Sequence, residues 1–232
     1  MNPPPFTRAG FVAGARFMVV PSFGTFFIGI GVGVLAAQVG LSLTALLAMS
    51  ATVYAGAAQM VALQTWADPV PVVAVALIAF AVNTRYILLG AALRPWFGGL
   101  SPLQAYGSLF VMGAGNWLLS IKEYESGRHD AAVLLGSGLV NYAFWFAGCW
   151  AGYAVGRQLG DPRHFAIDFL LTAFFVVNAV AIWKGKRDLA PLLVAGIAAA
   201  VSQKLLGGPW FIIIGAVAGS LTGLVRGPRH AE

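Results

Sequence analysis

Long apolar stretches alternate with short polar, glycine-rich or proline-rich links from one end of this chain to the other. A membrane-spanning helix needs about 20 mostly apolar residues, because the hydrocarbon core of a bilayer is about 30 Å thick. The chain is therefore predicted to be an all-α, polytopic membrane helical bundle with about seven or eight spans. The candidate spans lie at about 17–39, 43–66, 70–93, 103–121, 131–155, 165–183, 189–206 and 210–225.

Three links shape this prediction. Pro21-Ser22 interrupts the first span, and because proline removes a backbone donor, the first helix is predicted to be broken. The link Gly40-Leu41-Ser42 is so short that the first two spans are either antiparallel neighbours or include a re-entrant segment. The last two spans, joined by Gly207-Gly208-Pro209, form a tight hairpin. If the first or last hairpin is re-entrant, the number of spans falls to seven or six.

An inverted repeat is also open, because transporters often carry broken helices at matching positions of two halves. Pro21-Ser22-Phe23-Gly24 near the start and Pro209-Trp210-Phe211 near the end both begin glycine-rich apolar runs. This similarity covers only a few residues. The sequence alone therefore does not establish an inverted repeat.

Composition supports a single membrane domain. Of the 232 residues, 59% are hydrophobic and 9% are charged, and the mean hydropathy is +0.81. The charges gather between the apolar runs, which leaves no room for a soluble domain or for a basic face that binds nucleic acid. We expect one transmembrane permease domain over 1–232, with tails at 1–15 and 226–232.

Lysine and arginine are distributed unequally between the two sides. With the N-terminus inside, nine fall in cytoplasmic segments and four on the opposite side, and Arg85 is assigned to the membrane. This bias predicts that both termini are cytoplasmic. The cytoplasmic set is Arg8, Arg16, Lys122, Arg128, Lys184, Lys186, Arg187, Arg226 and Arg229, and the opposite set is Arg94, Arg157, Arg163 and Lys204.

No motif of a known enzyme class is present: the chain has no HExxH, GxSxG or nucleotide-binding loop. Cys149 is the single cysteine, and His129, His164 and His230 fall in predicted loops or the tail. The sequence therefore predicts no enzyme, no metal and no cofactor. Transport energy would come from a gradient or from a separate protein.

Polar residues inside the second and third spans are the main candidates for a binding site. Gly56, Ala57 and Ala58 provide a face for close helix packing, and Gln59 follows them. An amide in lipid must find a polar partner, and a substrate carboxylate or amine is one. A purely structural role in helix packing remains the alternative.

Arg85 is costly inside a membrane, at least about 2.5 to 3.5 kcal/mol on insertion scales. Its guanidinium would pair with a substrate carboxylate, pair with Asp168, or extend toward the interface. Asn83 points about 200° away from Arg85 on a regular helix, unless the helix breaks near Asn83-Thr84. Asp168 is the one carboxylate inside a predicted span, where it would bind a coupling proton or cap a helix.

Two further sets complete the candidate site. A half-helix starting near Pro21, Phe23 or Gly24 would direct its N-terminus at a substrate carboxylate. Asn116 in the fourth span is a candidate ligand for substrate. Asparagines inside membrane spans, including Asn141 and Asn178, are more often interhelical hydrogen-bond partners.

The run Ala55-Gly56-Ala57-Ala58-Gln59, followed by Asn83-Thr84-Arg85-Tyr86, resembles the signature of the AzlC family, the large subunit of bacterial branched-chain amino acid exporters. Further similarities are Pro21 with Phe23-Gly24, Gly40-Leu41-Ser42, and Asp168-Phe169.

This resemblance implies a multi-pass permease of the bacterial inner membrane that exports branched-chain or similar amino acids. It also implies gradient-driven transport and a small AzlD-type membrane subunit as partner. One departure stands out, because many relatives carry an Asp-Glu pair in the fourth span where this chain reads Gly113-Ala114-Gly115-Asn116-Trp117. Proton coupling through that helix is therefore in doubt.

Two other functions remain open on sequence alone. The glycine content and the scarcity of acids inside the spans are also typical of a non-coupled channel for small solutes. The small-residue faces are also expected of a structural subunit that holds a small partner, and a homo-oligomer is not excluded. Accumulation of substrate against a gradient separates a transporter from a channel.

Overall fold

The computed structural model describes residues 4–66, 69–159, 176, 180, 183, 185–206 and 210–225. The chain divides into two compact units, Met1–Leu63 with Val82–Ile167, and Gln64–Ala81 with Asp168–Glu232. The regular elements of the described residues are helices, which confirms the predicted all-α membrane bundle. The helices are α1 (Arg8–Gln38), α2 (Leu43–Val53), α3 (Gly56–Gln64), α4 (Val72–Asn83), α5 (Arg85–Phe97), α6 (Pro102–Phe110), α7 (Ala114–Glu125), α8 (Ala132–Gly156), α9 (Leu189–Leu206) and α10 (Trp210–Val225).

A parallel pair of long helices, α1 and α8, forms the centre of the first unit. Gly14 of α1 packs against the backbone at Val133, where α8 begins, and Gly33 packs against the backbone at Cys149 and Gly152, toward its end. A side chain at either glycine would overlap these backbone atoms. The two helices approach closely because such residues lie along their whole contact. We call the end where both helices begin the proximal end, and the other the distal end.

The predicted break of the first helix is wrong. α1 runs unbroken for 31 residues with Pro21 inside it. Pro21 is exposed, while Ser22 is fully buried and donates a hydrogen bond to Asn141 of α8. A proline in a helix interior costs about 3 kcal/mol. The close packing of α1 along α8 outweighs this cost, and no half-helix begins at Pro21 or Gly24.

The chain breaks in the second predicted span instead. α2 ends at Val53, its C-cap Tyr54 has a left-handed backbone with φ of 40°, and α3 begins at Gly56. The chain reverses there, because Gln59 of α3 donates back to Ser50 of α2 at 2.9 Å. α2 starts at the distal end, where the Tyr153 hydroxyl of α8 donates to the Leu41 carbonyl. α2 and α3 therefore form a re-entrant hairpin, the first hairpin.

α6 and α7 form a second hairpin that enters from the proximal end. α6 leads inward until Val111 packs against Gly138 of α8. α7 then returns to the proximal end beside α5. The Trp117 indole of α7 donates to the Leu89 carbonyl of α5 at 3.0 Å, and seven positions later on both helices the ring of Tyr124 contacts that of Trp96. The two hairpins thus enter from opposite ends and meet near the middle of α8.

The two hairpins share sequence as well as shape. Gly40-Leu41-Ser42 precedes α2 and Gly99-Leu100-Ser101 precedes α6, and both serines cap their helices. Gly56-Ala57-Ala58-Gln59 opens α3 and Gly113-Ala114-Gly115-Asn116 stands where α7 begins. The described residues therefore contain an inverted repeat, but not the predicted one: Pro21 opens no new helix, and Pro209 lies outside the described residues.

Among the described residues, four helical stretches are long and apolar enough to cross a membrane: α1 (Arg8–Gln38), α4 together with α5 (Val72–Phe97), α8 (Ala132–Gly156), and α9 with the single 3-10 turn before it (Lys186–Leu206). The arms of the hairpins, 9 to 12 residues, are too short to cross alone, since a residue adds about 1.5 Å. The predicted spans at 43–66 and 103–121 are therefore corrected to hairpins. The predicted span at 165–183, with Asp168 and Asn178, lies outside the described residues apart from isolated positions.

In the second unit, α9 and α10 pack against one another. A Cβ atom on Gly215 would lie 3.0 Å from the Ala195 carbonyl oxygen, and one on Gly219 would lie 2.9 Å from the Ala195 Cβ atom. These glycines let the two backbones approach closely. The predicted packing of the last two helices is thus present, although their link at 207–209 lies outside the described residues.

Candidate functional site

Asn141 of α8 lies at the centre of the polar groups between the two hairpins. Its amide oxygen accepts hydrogen bonds from Ser22 at 3.2 Å and from Thr25 at 2.7 Å, both on α1. Its amide nitrogen donates to the Tyr54 hydroxyl at 2.8 Å. One side chain therefore ties α1, α8 and the tip of the first hairpin together. The role expected for Asn141, as an interhelical hydrogen-bond partner, is what the structure shows.

Gln59 is 1% exposed, and only one of its two amide polar atoms has a hydrogen-bond partner among the described residues. Its amide nitrogen donates to Ser50, whose hydroxyl contacts the Cys149 sulfur at 3.7 Å, but its amide oxygen has no partner among the described residues. Exchanging the amide oxygen and nitrogen would only move the unpaired atom. A buried polar atom without a partner costs about 1–3 kcal/mol, so the Gln59 oxygen is a candidate acceptor for a ligand.

The N-terminus of α3 lies beside Gln59. Gly56, the first residue of α3, packs against the indole of Trp145, and a Cβ atom there would lie 2.7 Å from the ring. Trp145 is 4% exposed, and its indole N–H has no acceptor among the described residues. The first backbone N–H groups of a helix also lack intrahelical partners. One buried donor and one buried acceptor without a partner among the described residues therefore lie near the start of α3.

The tip of the second hairpin is closed by its own amide. The Asn116 oxygen accepts from the Gly113 backbone N–H at 2.6 Å, and its nitrogen donates to the Val111 and Leu134 carbonyls. Asn116 is fully buried with all of its polar atoms used. Matching positions of the repeat thus differ: Gln59 keeps a free oxygen, whereas Asn116 holds its turn together.

Asn83 and Arg85 flank a short interruption between α4 and α5. Such a break near Asn83-Thr84 is the condition that the sequence analysis gave for both side chains to face one site. The helix turns at Thr84, and α5 begins at Arg85. The Asn83 amide oxygen is buried without a partner among the described residues. The Arg85 side chain is exposed, stacks on the adjacent Tyr86 ring at 5.2 Å, and has no carboxylate partner within the described part of the chain.

The remaining predicted site residues lie away from the hairpin tips or outside the described residues. Pro21, Phe23 and Gly24 are exposed on α1, while Ser22 between them faces Asn141. Asp168 lies outside the described residues, so its pairing with Arg85 stays a prediction. Nothing in the sequence pattern singled out Ser50 as the hydrogen-bond partner of Gln59, or Trp145 as a side chain beside the start of α3. The spacing from Ser50 to Gln59 becomes informative only once the chain reverses at Tyr54.

These helices and hairpins define a polytopic membrane protein with a polar centre between two inverted re-entrant segments. The family model described as AzlC protein matches residues 21–159, more than half of the chain, and the chain therefore belongs to the AzlC family. Family membership confirms the resemblance seen in the sequence and gives the chain a role in membrane transport.

Two relatives cover most of the chain. It is 27% identical over 221 residues to the branched-chain amino acid transport protein AzlC of Bacillus subtilis strain 168, across 92% of this chain and 85% of that protein. It is 25% identical over 194 residues to an uncharacterized membrane protein of Helicobacter pylori strain J99, across 84% and 85% of the two chains. No solved structure matches the chain.

Proposed function

We propose that this protein is the permease subunit of a gradient-driven exporter of branched-chain or similar small apolar amino acids, and that substrate binds at the tip of the first hairpin. The observation that carries the proposal is a pair of buried side-chain atoms without a partner among the described residues, the Gln59 amide oxygen and the Trp145 indole N–H, near the start of α3. The transport protein named for branched-chain amino acids in Bacillus subtilis supports the choice of substrate.

The chemistry of an amino acid fits these groups. A helix N-terminus carries about half a positive charge and free N–H groups, and therefore suits an α-carboxylate. The Trp145 indole N–H adds a donor, and the Gln59 oxygen is an acceptor for the α-ammonium group. Because Gln59 is buried, substrate enters only when the hairpin moves, as expected for alternating access between inverted repeats.

Export assays with paired glutamine variants test this site. Gln59→Ala removes the buried amide, whereas Gln64→Ala removes the same side chain at the exposed end of α3. A hydrogen bond to a charged group contributes about 1.5–3 kcal/mol, so Gln59→Ala should lower leucine and valine export by about tenfold or more, and Gln64→Ala by less than about twofold. Equal export by Gln59→Ala and wild type, at equal protein level, would contradict the site.

A competition assay tests recognition of the carboxylate. Leucinol keeps the side chain and the ammonium group of leucine but lacks the carboxylate. We expect leucine, and not leucinol, to inhibit export of labelled valine. Equal inhibition by both compounds would remove the helix N-terminus from the site.

Arg85 is proposed to serve either the substrate or Asp168, and a double variant separates these roles. If the two residues pair, Arg85→Ala leaves an uncompensated carboxylate, and Arg85→Ala with Asp168→Ala should restore export in part. If Arg85 binds substrate, the double variant stays as inactive as the single one. Loss of export in Arg85→Ala alone supports a functional role but does not choose between them.

We also propose a bacterial inner-membrane location with cytoplasmic termini, and an AzlD-type small subunit as partner. The structure changes the charge count, because Arg94 lies at the proximal end beside Pro5 of the N-terminal tail. Among the described residues of the first unit, Arg8, Arg16, Arg94, Lys122 and Arg128 then lie toward the proximal end, and Arg157 lies at the distal end. This bias supports a cytoplasmic proximal end.

A further inference from the structure

An open cavity of about 930 Å³ lies at the proximal end of the first unit, away from the hairpin tips. The N-terminal tail at Pro4 and Pro5, the turn after α5 and the loop after α7 form its walls. Small-molecule sites in proteins measure about 300–1,000 Å³, so the cavity is large enough for an organic ligand. The proposed transport site makes no use of it.

Three polar side chains line this cavity and have no hydrogen-bond or ion-pair partner among the described residues: the Arg94 guanidinium, the Tyr124 hydroxyl and the His129 imidazole, whose ring contacts that of Tyr124. Trp96 is different, because its indole donates to the His129 carbonyl at 2.7 Å. Among the described residues, no carboxylate lines the cavity, and the nearby Glu123 is paired with Arg128. The cavity thus offers hydrogen-bond donors and a positive charge, which suit an anion.

The rest of the lining is mostly apolar, and it continues onto an exposed apolar surface of α5. Ala91 and Pro95 line the cavity, and Leu88, one turn earlier on α5, is 72% exposed. Residues three and four positions apart lie on one face of a helix, so these three form a single apolar stripe that leads from the cavity along the membrane-spanning part of α5. A ligand with a polar anionic end and a hydrocarbon chain would cover both surfaces.

We propose that this cavity binds the phosphate headgroup of an anionic phospholipid, with Arg94 as the main contact and an acyl chain along Leu88 and Ala91. The position agrees with the chemistry, because α5 ends at Phe97 and α6 begins at Pro102, which places the cavity at the membrane surface. The proximal end is the more basic end of the first unit, and basic pockets at the cytoplasmic surface are typical sites for anionic lipids.

Thermal unfolding of the purified full-length protein in a neutral detergent tests this proposal. The probes are phosphatidylglycerol, phosphatidylcholine with the same acyl chains, and inorganic phosphate. Phosphatidylglycerol should raise the unfolding temperature in a saturable way, while the other two should not. Arg94→Ala should weaken the apparent affinity for phosphatidylglycerol by about tenfold or more.

Two variants control the experiment. Arg157→Ala removes an exposed arginine at the distal end and should keep the full effect of phosphatidylglycerol. Tyr124→Phe keeps the ring that packs on Trp96 and removes only the hydroxyl, so it should weaken binding even if Arg94→Ala fails to fold. The proposal is overturned if phosphatidylcholine or phosphate stabilises the protein as well as phosphatidylglycerol, or if Arg94→Ala and Tyr124→Phe both bind it like wild type.

Discussion

Replacing Asn141 with leucine should loosen the first hairpin from the α1–α8 pair. The substitution keeps the approximate size of the side chain but removes its bonds with Ser22, Thr25 and Tyr54. Interhelical hydrogen bonds in membrane proteins contribute about 0.6 kcal/mol each on average, so the three together contribute about 2 kcal/mol. For a chain of this size we expect the unfolding temperature to fall by about 4–8 °C.

The single cysteine provides the assay. Cys149 is fully buried beside Ser50, so a thiol-reactive fluorophore labels it only when α2 or the contact around it opens. Heating the detergent-solubilised protein with the fluorophore therefore reports opening at this contact. Tyr142→Phe is the matched control, because it removes one bond, from the Tyr142 hydroxyl to the Ala51 carbonyl, and should cost about a third as much. The reasoning is refuted if Asn141→Leu shifts the transition no more than Tyr142→Phe.

Two further predictions concern helix packing and pH. Gly33→Leu should prevent recovery of folded protein, because the new side chain would overlap the α8 backbone and overpacking costs about 1–3 kcal/mol or more. Gly24→Ala should be neutral or slightly stabilising, because no atom lies within 4 Å of the added Cβ. The yield of monodisperse protein measures both effects. The hydrogen bond from Arg128 lowers the pKa of Glu123. The pair's small contribution to stability is therefore present above the ordinary glutamate pKa of about 4.3 and is lost as the pH falls through the lowered folded-state value. Glu123→Gln should remove this acid dependence from the unfolding temperature, and an unchanged dependence would assign it to other groups.

The sequence predicts the helical segments well because each apolar run is long and uniform. It cannot show the reversal at Tyr54, because 22 mostly apolar residues look alike whether they form one span or two short arms. The available signal was the repeated order of a Gly-Leu-Ser cap followed by Gly-Ala and an amide, at Gln59 and again at Asn116. That order indicates two similar hairpins once it is compared between the two segments.

Pro21 misled the prediction of a broken helix for a physical reason. The energetic cost of proline is local and visible in sequence, whereas the compensating contact is formed by glycines of α1 and α8 that lie more than 100 positions apart. Gln59 was singled out as a polar residue inside the second predicted span, and the structure buries it, but its partner Ser50 and the nearby Trp145 required the folded chain. Conversely, the amide of Asn116 proved to be used internally.

The central claim is that two hairpins enter the membrane from opposite surfaces and meet at Asn141. Single cysteines at Thr44 and Gln64, and at Leu103 and Glu125, all at exposed positions near the open ends of the hairpins, test it in a Cys149→Ser background. A membrane-impermeant thiol reagent should label Thr44→Cys and Gln64→Cys from one side of the membrane, and Leu103→Cys and Glu125→Cys from the other. Labelling of the two members of either pair from opposite sides would mean that the segment crosses the membrane, and would contradict the claim.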